Sequence, residues 1–127
     1  MRLLLDTHAL LWFYGGDESL PTELAQTIRN PSTLCYISVA SLWEITIKLS
    51  LKKLELDTPL SVLFDFIERN QFLIMPIELE HLLQLQRLPL HHKDPFDRLI
   101  VAQALVEQLT VATKDIIFSE YGVSKRW

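Results

Sequence analysis

Residues 94–115 read DPFDRLIVAQALVEQLTVATKD, and they contain the clearest helix start in the chain. Asp94 can cap a helix, Pro95 suits the first helical position, and Asp97 puts an acid in the first turn. We predict that this helix continues through Leu99–Glu107, and we assign Asp94 to the cap rather than to chemistry. Taken alone, Asp97 could equally be an acid that stabilises the helix dipole.

Two predicted strands each end in an acid. After the helix, Leu109–Ala112 is a short apolar run that leads to Asp115, and at the start of the chain Leu3–Leu5 leads directly to Asp6. Short apolar runs of this kind are typical of strands buried in parallel sheets. Asp115 could also cap a turn over Ile116–Ser119. The carboxylate of Asp6 closes an apolar strand, so it needs a hydrogen-bond donor, an ion pair or a metal.

Between these two strands, helix and strand signals alternate along the chain. Proline, glycine and asparagine mark the element ends. We expect helices over Thr7–Tyr14, over Ser19–Arg29 with Ser19 as N-cap, from Pro59 to Ile67 and over Glu78–Leu88, and strands over Leu34–Ile37 and Phe72–Met75. This alternation predicts an α/β fold with a central, mostly parallel sheet flanked by helices on both faces. Such sheets bind ligands outside the carboxyl ends of their strands, where Asp6 and Asp115 lie.

Residues 39–51 carry conflicting signals. From Glu44 onward, polar and apolar residues alternate, and this period of two favours a strand. Ser38 or Ser41, however, could cap a helix here. If the segment is helical, Glu44 and Lys48 lie one turn apart and can form an ion pair, which would be an ordinary surface role for Glu44. The residues of this segment leave both alternatives open.

Length and composition exclude several classes of protein. The chain of 127 residues, 49% hydrophobic and 22% charged, fits one folded domain, which we expect to span residues 1–127. Its net charge of −4 means that any contact with nucleic acid must be local. The single Cys35 cannot form an internal disulfide and fits a cytoplasmic protein. The apolar run Met1–Leu5 is too short for a signal peptide or a membrane helix, so we expect no membrane segment.

Clustered acids without metal-binding cysteines indicate a hard cation. Mg²⁺ and Mn²⁺ prefer carboxylate and water oxygens, whereas zinc sites need cysteines or suitably spaced histidines. His91 and His92 are adjacent and expected to point apart, His81 stands alone, and His8 is more simply explained by packing. The sequence has no Gly-x-Ser-x-Gly motif and no glycine-rich phosphate loop, so neither serine-nucleophile chemistry nor a nucleotide cradle is expected.

Four segments, in this order, resemble the PIN-domain nucleases, and in particular the VapC toxins of toxin–antitoxin pairs. The segments are LLDTHALLW at 4–12, SLWEI at 41–45, HKDPFDRLIVAQA at 92–104 and ATKD at 112–115. Each carries one acid at the position of a catalytic acid in that family, namely Asp6, Glu44, Asp97 and Asp115. Together they span nearly the whole chain, which makes the match specific although each segment alone is a weak signal.

The resemblance implies a PIN-like three-layer fold in which the four acids meet in one pocket and hold one or two Mg²⁺ or Mn²⁺ ions. Asp6 and Asp97 are expected to be direct ligands, and Glu44 and Asp115 to complete the site directly or through water. The family places the second of these acids on a helix. The resemblance therefore predicts that Val39–Leu51 is helical, against the local period of two.

The function that the resemblance implies is endonucleolytic cleavage of RNA by a metal-activated water. Thr7, Arg98 and Thr113 are expected beside the acids or the substrate. Two other functions remain open. One is a PIN nuclease that acts on DNA, and the other is a non-catalytic PIN docking module, which would be expected to lose one or more of the acids.

The resemblance also implies partners. VapC-type toxins bind a cognate antitoxin protein and work as homodimers, and exposed apolar patches mark such interfaces. The candidate interface residues are Trp43, Leu49, Leu63 and Phe64. The alternative is that these four side chains simply fill the core.

Overall fold

The computed structural model describes residues 1–127. The strands are β1 (Arg2–Leu5), β2 (Leu34–Ser38), β3 (Leu73–Met75), β4 (Thr110–Ala112) and β5 (Lys125–Arg126). The α-helices are α1 (Thr7–Gly15), α2 (Thr22–Arg29), α3 (Val39–Ser50), α4 (Leu60–Arg69), α5 (Leu79–Arg87) and α6 (Pro95–Glu107), and a 3₁₀ helix covers Ile116–Tyr121. None of the helices has both the length and the apolar character needed to cross a bilayer.

All five strands are parallel and form one sheet in the order β3-β2-β1-β4-β5. β1 lies at its centre, with Leu5 aligned to Ile37 of β2 and to Ala112 of β4. The carboxyl ends of these three strands are therefore level, and Asp6 opens onto their common edge. This arrangement confirms the predicted α/β fold with a parallel sheet flanked by helices.

The sheet separates two apolar cores, because successive side chains of a strand point to opposite faces. Leu3 and Leu5 belong to a core of 15 buried residues to which α1, α2 and α4 contribute, and Leu4 belongs to a core of 11 to which α6 contributes. All three leucines are fully buried. Burial of each contributes about 1.5–3 kcal/mol relative to exposure, so β1 anchors both faces and fixes where Asp6 emerges.

α3 confirms the helix that the family resemblance predicts and shows that the period-two interpretation is wrong. Its N-cap is Ser38, whose hydroxyl accepts a hydrogen bond from the amide of Ala40 at 3.0 Å. The residues that α3 buries are Ala40, Ser41, Glu44 and Ile45. Their spacing follows one face of a helix, but two of the four are polar, so a pattern based on apolar residues does not detect this face.

Three other local expectations differ from the structure. α2 begins at Thr22, and Ser19 does not cap it, because the Ser19 amide donates to Oδ1 of Asp17 at 2.8 Å in a turn that precedes the helix. The apolar run Phe72–Met75 predicts a buried strand, but β3 lies at the sheet edge, where Leu73 and Ile74 are exposed. β5 has no signal in the sequence, because its two residues are both basic and pair only with the short β4.

Candidate active site

Three of the four predicted acids lie at the carboxyl edge of the sheet, each at the start of a helix. Asp6 is the N-cap of α1, where Oδ1 accepts a hydrogen bond from the amide of Ala9 at 2.8 Å. Asp115 is the N-cap of the 3₁₀ helix, where Oδ1 accepts from the amide of Ile117 at 2.9 Å. Asp97 lies in the first turn of α6. The starts of three helices thus bring these acids to one edge of the sheet.

Asp97 and Asp115 are joined by a histidine. Nε2 of His92 lies 3.2 Å from Oδ2 of Asp97 and 2.8 Å from Oδ2 of Asp115. One potential ligand atom from each of these three residues lies within 4.8 Å of the other two. His91 instead faces Glu120, with 3.7 Å between Nδ1 and Oε2. The two histidines diverge as predicted, and His92, which is not among the predicted site residues, lies beside two of them.

A sequence signal for His92 does exist, although it is weak. His92 stands two residues before the N-cap Asp94 and five before Asp97. A residue in the loop just before a helix can fold back over the first turn of that helix, where the acid lies. A histidine at this distance before a candidate acid therefore indicates a possible neighbour of that acid, whereas the spacing rules for paired histidine ligands do not identify it.

Glu44 enters the site from α3 with both of its oxygens in contact with neighbouring side chains. Oε1 accepts a hydrogen bond from the Thr7 hydroxyl at 2.7 Å, and Oε2 lies 2.6 Å from Nζ of Lys48. The Thr7 hydroxyl also lies 3.0 Å from that of Ser41. The hydrogen bond with Glu44 raises the pKa of Lys48. Glu44 is only 5% exposed, so its pairing with Lys48 is not the ordinary surface contact that the spacing alone suggests.

Asp97 is the most perturbed of the acids. Its pKa is raised to about 7, chiefly by burial and next by the charge of Asp94, while Glu44 and Asp6 add to the rise and His92 opposes it. Asp94 is itself the N-cap of α6, as predicted. The charges of Glu44 and Asp6 therefore reach Asp97, although their side chains lie outside the group formed with His92. A nearby cation would relieve this repulsion.

Asp6 is perturbed in the same direction. Burial is the main cause of its raised pKa, and the charge of Asp115 adds to it. Hydrogen bonds from the Thr113 side chain and the Ala9 amide, together with the charge of His8, lower the pKa but do not cancel the rise. Two of the four acids therefore resist ionisation in the absence of a cation.

Thr113 and Arg98 differ in their relation to the acids. Thr113 is fully buried, and its Oγ1 accepts a hydrogen bond from the amide of Asp115 at 3.1 Å. Its side chain also lowers the pKa of Asp6, so it lies near both acids. Arg98 donates to a backbone carbonyl of the α5–α6 segment at 2.9 Å, and its Nη1 lies 3.4 Å from Oη of Tyr121. Its guanidinium holds that segment rather than contacting the acids.

A groove of about 710 Å³ opens beside Glu44, between α1, α3 and residues 53–58. Thr7 and His8 line it at the site, and Trp12, Lys48 and Lys53 also line it. The ring of Trp12 lies 5.3 Å from that of His8, so His8 packs against an aromatic ring as well as lying near Asp6. The groove is not uniformly basic, because its lining also includes Asp17, Glu55 and Asp57.

The four candidate interface residues divide between surface and core. Trp43 is 57% and Phe64 42% exposed, whereas Leu63 is fully buried and Leu49 packs partly buried against the core. The core-filling alternative therefore holds for Leu63. Trp43 and Phe64 remain available on the surface, and the Trp43 ring contacts that of Phe96 edge-on at 5.4 Å.

Comparison with known proteins assigns a family to this fold. The profile of the PIN domain matches residues 3–123. No curated protein matches the sequence at a significant level. Among solved structures, VapBC2 from Rickettsia felis, bound to a DNA fragment from its promoter, is similar at 18% identity and a TM-score of 0.73, with 99% of this chain and 98% of that chain covered.

Two further structures share the fold. DNA-bound VapBC from Salmonella typhimurium is 17% identical, with a TM-score of 0.73 over 99% of this chain and 97% of that chain. FitAcB from Neisseria gonorrhoeae is 21% identical, with a TM-score of 0.68 over 97% of this chain and 95% of that chain. At these identities the likeness concerns the fold.

Proposed function

Because this chain belongs to the PIN-domain family, we propose that it is a divalent-metal-dependent endoribonuclease and the toxin of a toxin–antitoxin pair. The observation that carries the proposal is the meeting of Asp97 and Asp115 at one edge of the sheet, with Asp6 and Glu44 near enough to raise the pKa of Asp97. Acids gathered from four separate parts of a chain repel one another, and a bound cation offsets that repulsion.

The donor set fits Mg²⁺ or Mn²⁺, because it is dominated by carboxylate oxygens and contains no cysteine. Asp6 and Asp97 would hold the ion directly, and Glu44 and Asp115 would complete the site directly or through water. When bound, the ion lowers the pKa of a water molecule and neutralises charge that develops on the phosphate.

The neighbours of Glu44 prepare it for this role. Thr7 holds Oε1 and Lys48 holds Oε2, so the carboxylate is fixed in orientation and each oxygen keeps a lone pair for water or metal. Nζ of Lys48 belongs to a side chain that is 41% exposed and lines the groove. It can therefore pair with a substrate phosphate that lies in the groove, which none of the four acids lines but which Thr7 and Lys48 connect to Glu44.

We propose RNA as the substrate, on the strength of the family resemblance. The groove supports a single-stranded substrate, because it offers the aromatic face of Trp12 for base stacking and the ammonium groups of Lys48 and Lys53 for phosphates. These are local contacts, as the net charge of −4 requires. The presence of all four acids disfavours a docking module without chemistry.

The proposal includes a cognate antitoxin, by analogy with the VapBC and FitAB complexes that share the fold, and a homodimer, on the strength of the family resemblance alone. Trp43 and Phe64 are the exposed apolar residues available for such contacts. We place the activity in the cytoplasm, where the buried thiol of Cys35 stays reduced.

The test compares the purified protein with Asp97→Asn on single-stranded RNA and on DNA of the same sequence, with Mn²⁺, with Mg²⁺ and with excess EDTA. We expect the wild type to cleave RNA with either metal. In EDTA we expect no cleavage by the wild type or by Asp97→Asn. Asp65→Asn makes the same chemical change on the exposed surface of α4 and should retain full activity. Cleavage in EDTA, or equal cleavage by Asp97→Asn, would refute metal-dependent catalysis at this site, and preferential cleavage of DNA would refute the substrate.

A further inference from the structure

The segment between α5 and α6 holds His92 in a fixed position. The backbone amide of His92 donates a hydrogen bond to Oη of Tyr121 at 2.7 Å. The same hydroxyl lies 3.4 Å from Nη1 of Arg98, so the loop is tied both to the end of the 3₁₀ helix and to α6. The His92 side chain is only 14% exposed. The position of the imidazole ring, and with it the set of its hydrogen-bond partners, is therefore fixed by the loop.

The hydrogen bonds of the ring define its tautomer. Nδ1 of His92 accepts a hydrogen bond from the backbone amide of Asp94 at 3.1 Å. A ring nitrogen that accepts carries no proton, and a neutral imidazole has one N–H, so the proton is on Nε2. That N–H donates a hydrogen bond to Oδ2 of Asp115 at 2.8 Å. Oδ2 of Asp97 lies 3.2 Å from the same nitrogen, in contact with the ring but outside hydrogen-bond geometry. A protonated Nε2 has no lone pair to offer a metal.

His92 therefore differs from the two acids that it contacts. Oδ1 of Asp115 already accepts from the amide of Ile117 at 2.9 Å, so with His92 on Oδ2 both of its oxygens are fixed by donors. The Asp97 carboxylate only contacts the ring, with Oδ2 at 3.2 Å from Nε2, so both of its oxygens remain able to bind a cation. Each carboxylate oxygen has two lone pairs, and one donor still leaves room for a metal.

We propose that His92 is a positioning residue of the metal site: its Nε2–H holds Asp115, and its ring lies against Asp97, in the arrangement that binds the divalent ion, and His92 is not itself a ligand. This inference rests on the proposed metal-dependent function. Hydrogen-bond partners of metal-ligating side chains are worth about 10–100-fold in metal affinity. The loss of the Nε2–H donor should weaken Mn²⁺ binding by a factor in that range.

Two substitutions separate the two nitrogens of the ring. His92→Asn places an amide oxygen near the position of Nδ1, so it can still accept from the Asp94 amide in an Asx turn, but it has no donor at the position of Nε2. His92→Gln reaches that position with its amide NH₂ and can restore the donor. The matched control is His91→Asn, at the partly exposed neighbouring histidine that faces Glu120.

The experiment measures the Kd of Mn²⁺ for the full chain and its three variants by isothermal titration calorimetry. We expect His92→Asn to weaken binding about 10–100-fold, His92→Gln to remain within a few-fold of wild type, and His91→Asn to match it. If His92 served only to hold the loop through its bond to the Asp94 amide, His92→Gln would weaken Mn²⁺ binding more than His92→Asn, because only His92→Asn preserves that bond. Wild-type affinity in His92→Asn would overturn the inference.

A second measurement needs no variant. Electron spin echo envelope modulation of Mn²⁺ bound to the wild type detects a directly coordinated nitrogen. We expect no such nitrogen signal, and its presence would show that His92 is a ligand and overturn the positioning role while leaving the proposed function intact. If the wild type bound no Mn²⁺ at all, the metal site itself would be refuted, and this inference with it.

Discussion

Replacement of Asp97 by asparagine should stabilise the metal-free protein, and the gain should depend on pH. The side chain is 24% exposed and its pKa is about 7 instead of the ordinary 3.8. Asparagine keeps the shape of the side chain but removes the negative charge. Loss of function and gain of stability in one variant would identify a site that is strained when no metal is bound.

The sign follows from the two pKa values. A carboxyl whose pKa is raised on folding binds its proton more tightly in the native state, so its contribution to stability is fully present below pH 3.8 and is lost as the pH rises through about 7. At about 1.36 kcal/mol per pH unit, the full penalty would be about 4 kcal/mol. Partial exposure screens part of it, so we expect about 1–3 kcal/mol at pH 8 and less than half of that at pH 5.

The assay is urea denaturation in excess EDTA at both pH values, followed by the fluorescence of the three tryptophans. Asp65→Asn controls for the same chemical change at an exposed site. The quantity to compare is the difference in free energy of unfolding between each variant and the wild type. If Asp97→Asn were no more stable than wild type at pH 8, or gained the same amount at both pH values, the repulsion inferred at Asp97 would be refuted.

Three further predictions concern the loaded site. Mn²⁺ at about 100 times its Kd should add about 2.7 kcal/mol to the stability of the wild type and much less to Asp6→Asn, and equal shifts in thermal melts would remove Asp6 from the site. Mn²⁺ affinity measured by calorimetry should rise between pH 6 and pH 8, because Asp97 must lose a proton to bind the ion, and a flat profile would contradict its role as a ligand. Thr7→Val removes the hydrogen bond that holds Glu44, so it should lower the rate of cleavage about 10–100-fold. Thr46→Val, on the exposed face of α3, should leave the rate unchanged. The measurement is the ratio of the two rates at a fixed Mn²⁺ concentration.

The parts of the fold that the sequence predicts are those whose signals are local. Asp94-Pro95 defines the start of α6 because a cap and a proline act within one turn. Leu3–Leu5 predicts the central strand because both faces of β1 are buried. The edge strands are harder to predict, since β3 exposes two of its three residues and β5 has two basic ones. Their pairing depends on neighbours that are distant in sequence.

The same distinction applies to the site. The acids could be located because strand ends and helix starts define one edge of a parallel sheet, and the helix that carries Glu44 required the family resemblance. His92 could not be found in this way. Its place depends on how the α5–α6 segment folds back onto Tyr121 and Arg98, and that fold is set by tertiary contacts rather than by spacing.

The segment from His92 to Asp97 also explains why the pKa of Asp97 is raised to about 7. Asp6 accepts a hydrogen bond from the amide of Ala9 in the helix that it begins, and this bond lowers its pKa against the rise that burial causes. In α6 the cap bonds go to Asp94, which accepts from the amides of residues 96 and 97. The carboxylate of Asp97 therefore accepts no hydrogen bond from a backbone amide of α6, and it lies close to the negative charge of Asp94. The two acids at the start of α6 therefore have different roles. Asp94 caps the helix, and Asp97 is the carboxylate whose raised pKa a bound cation would lower.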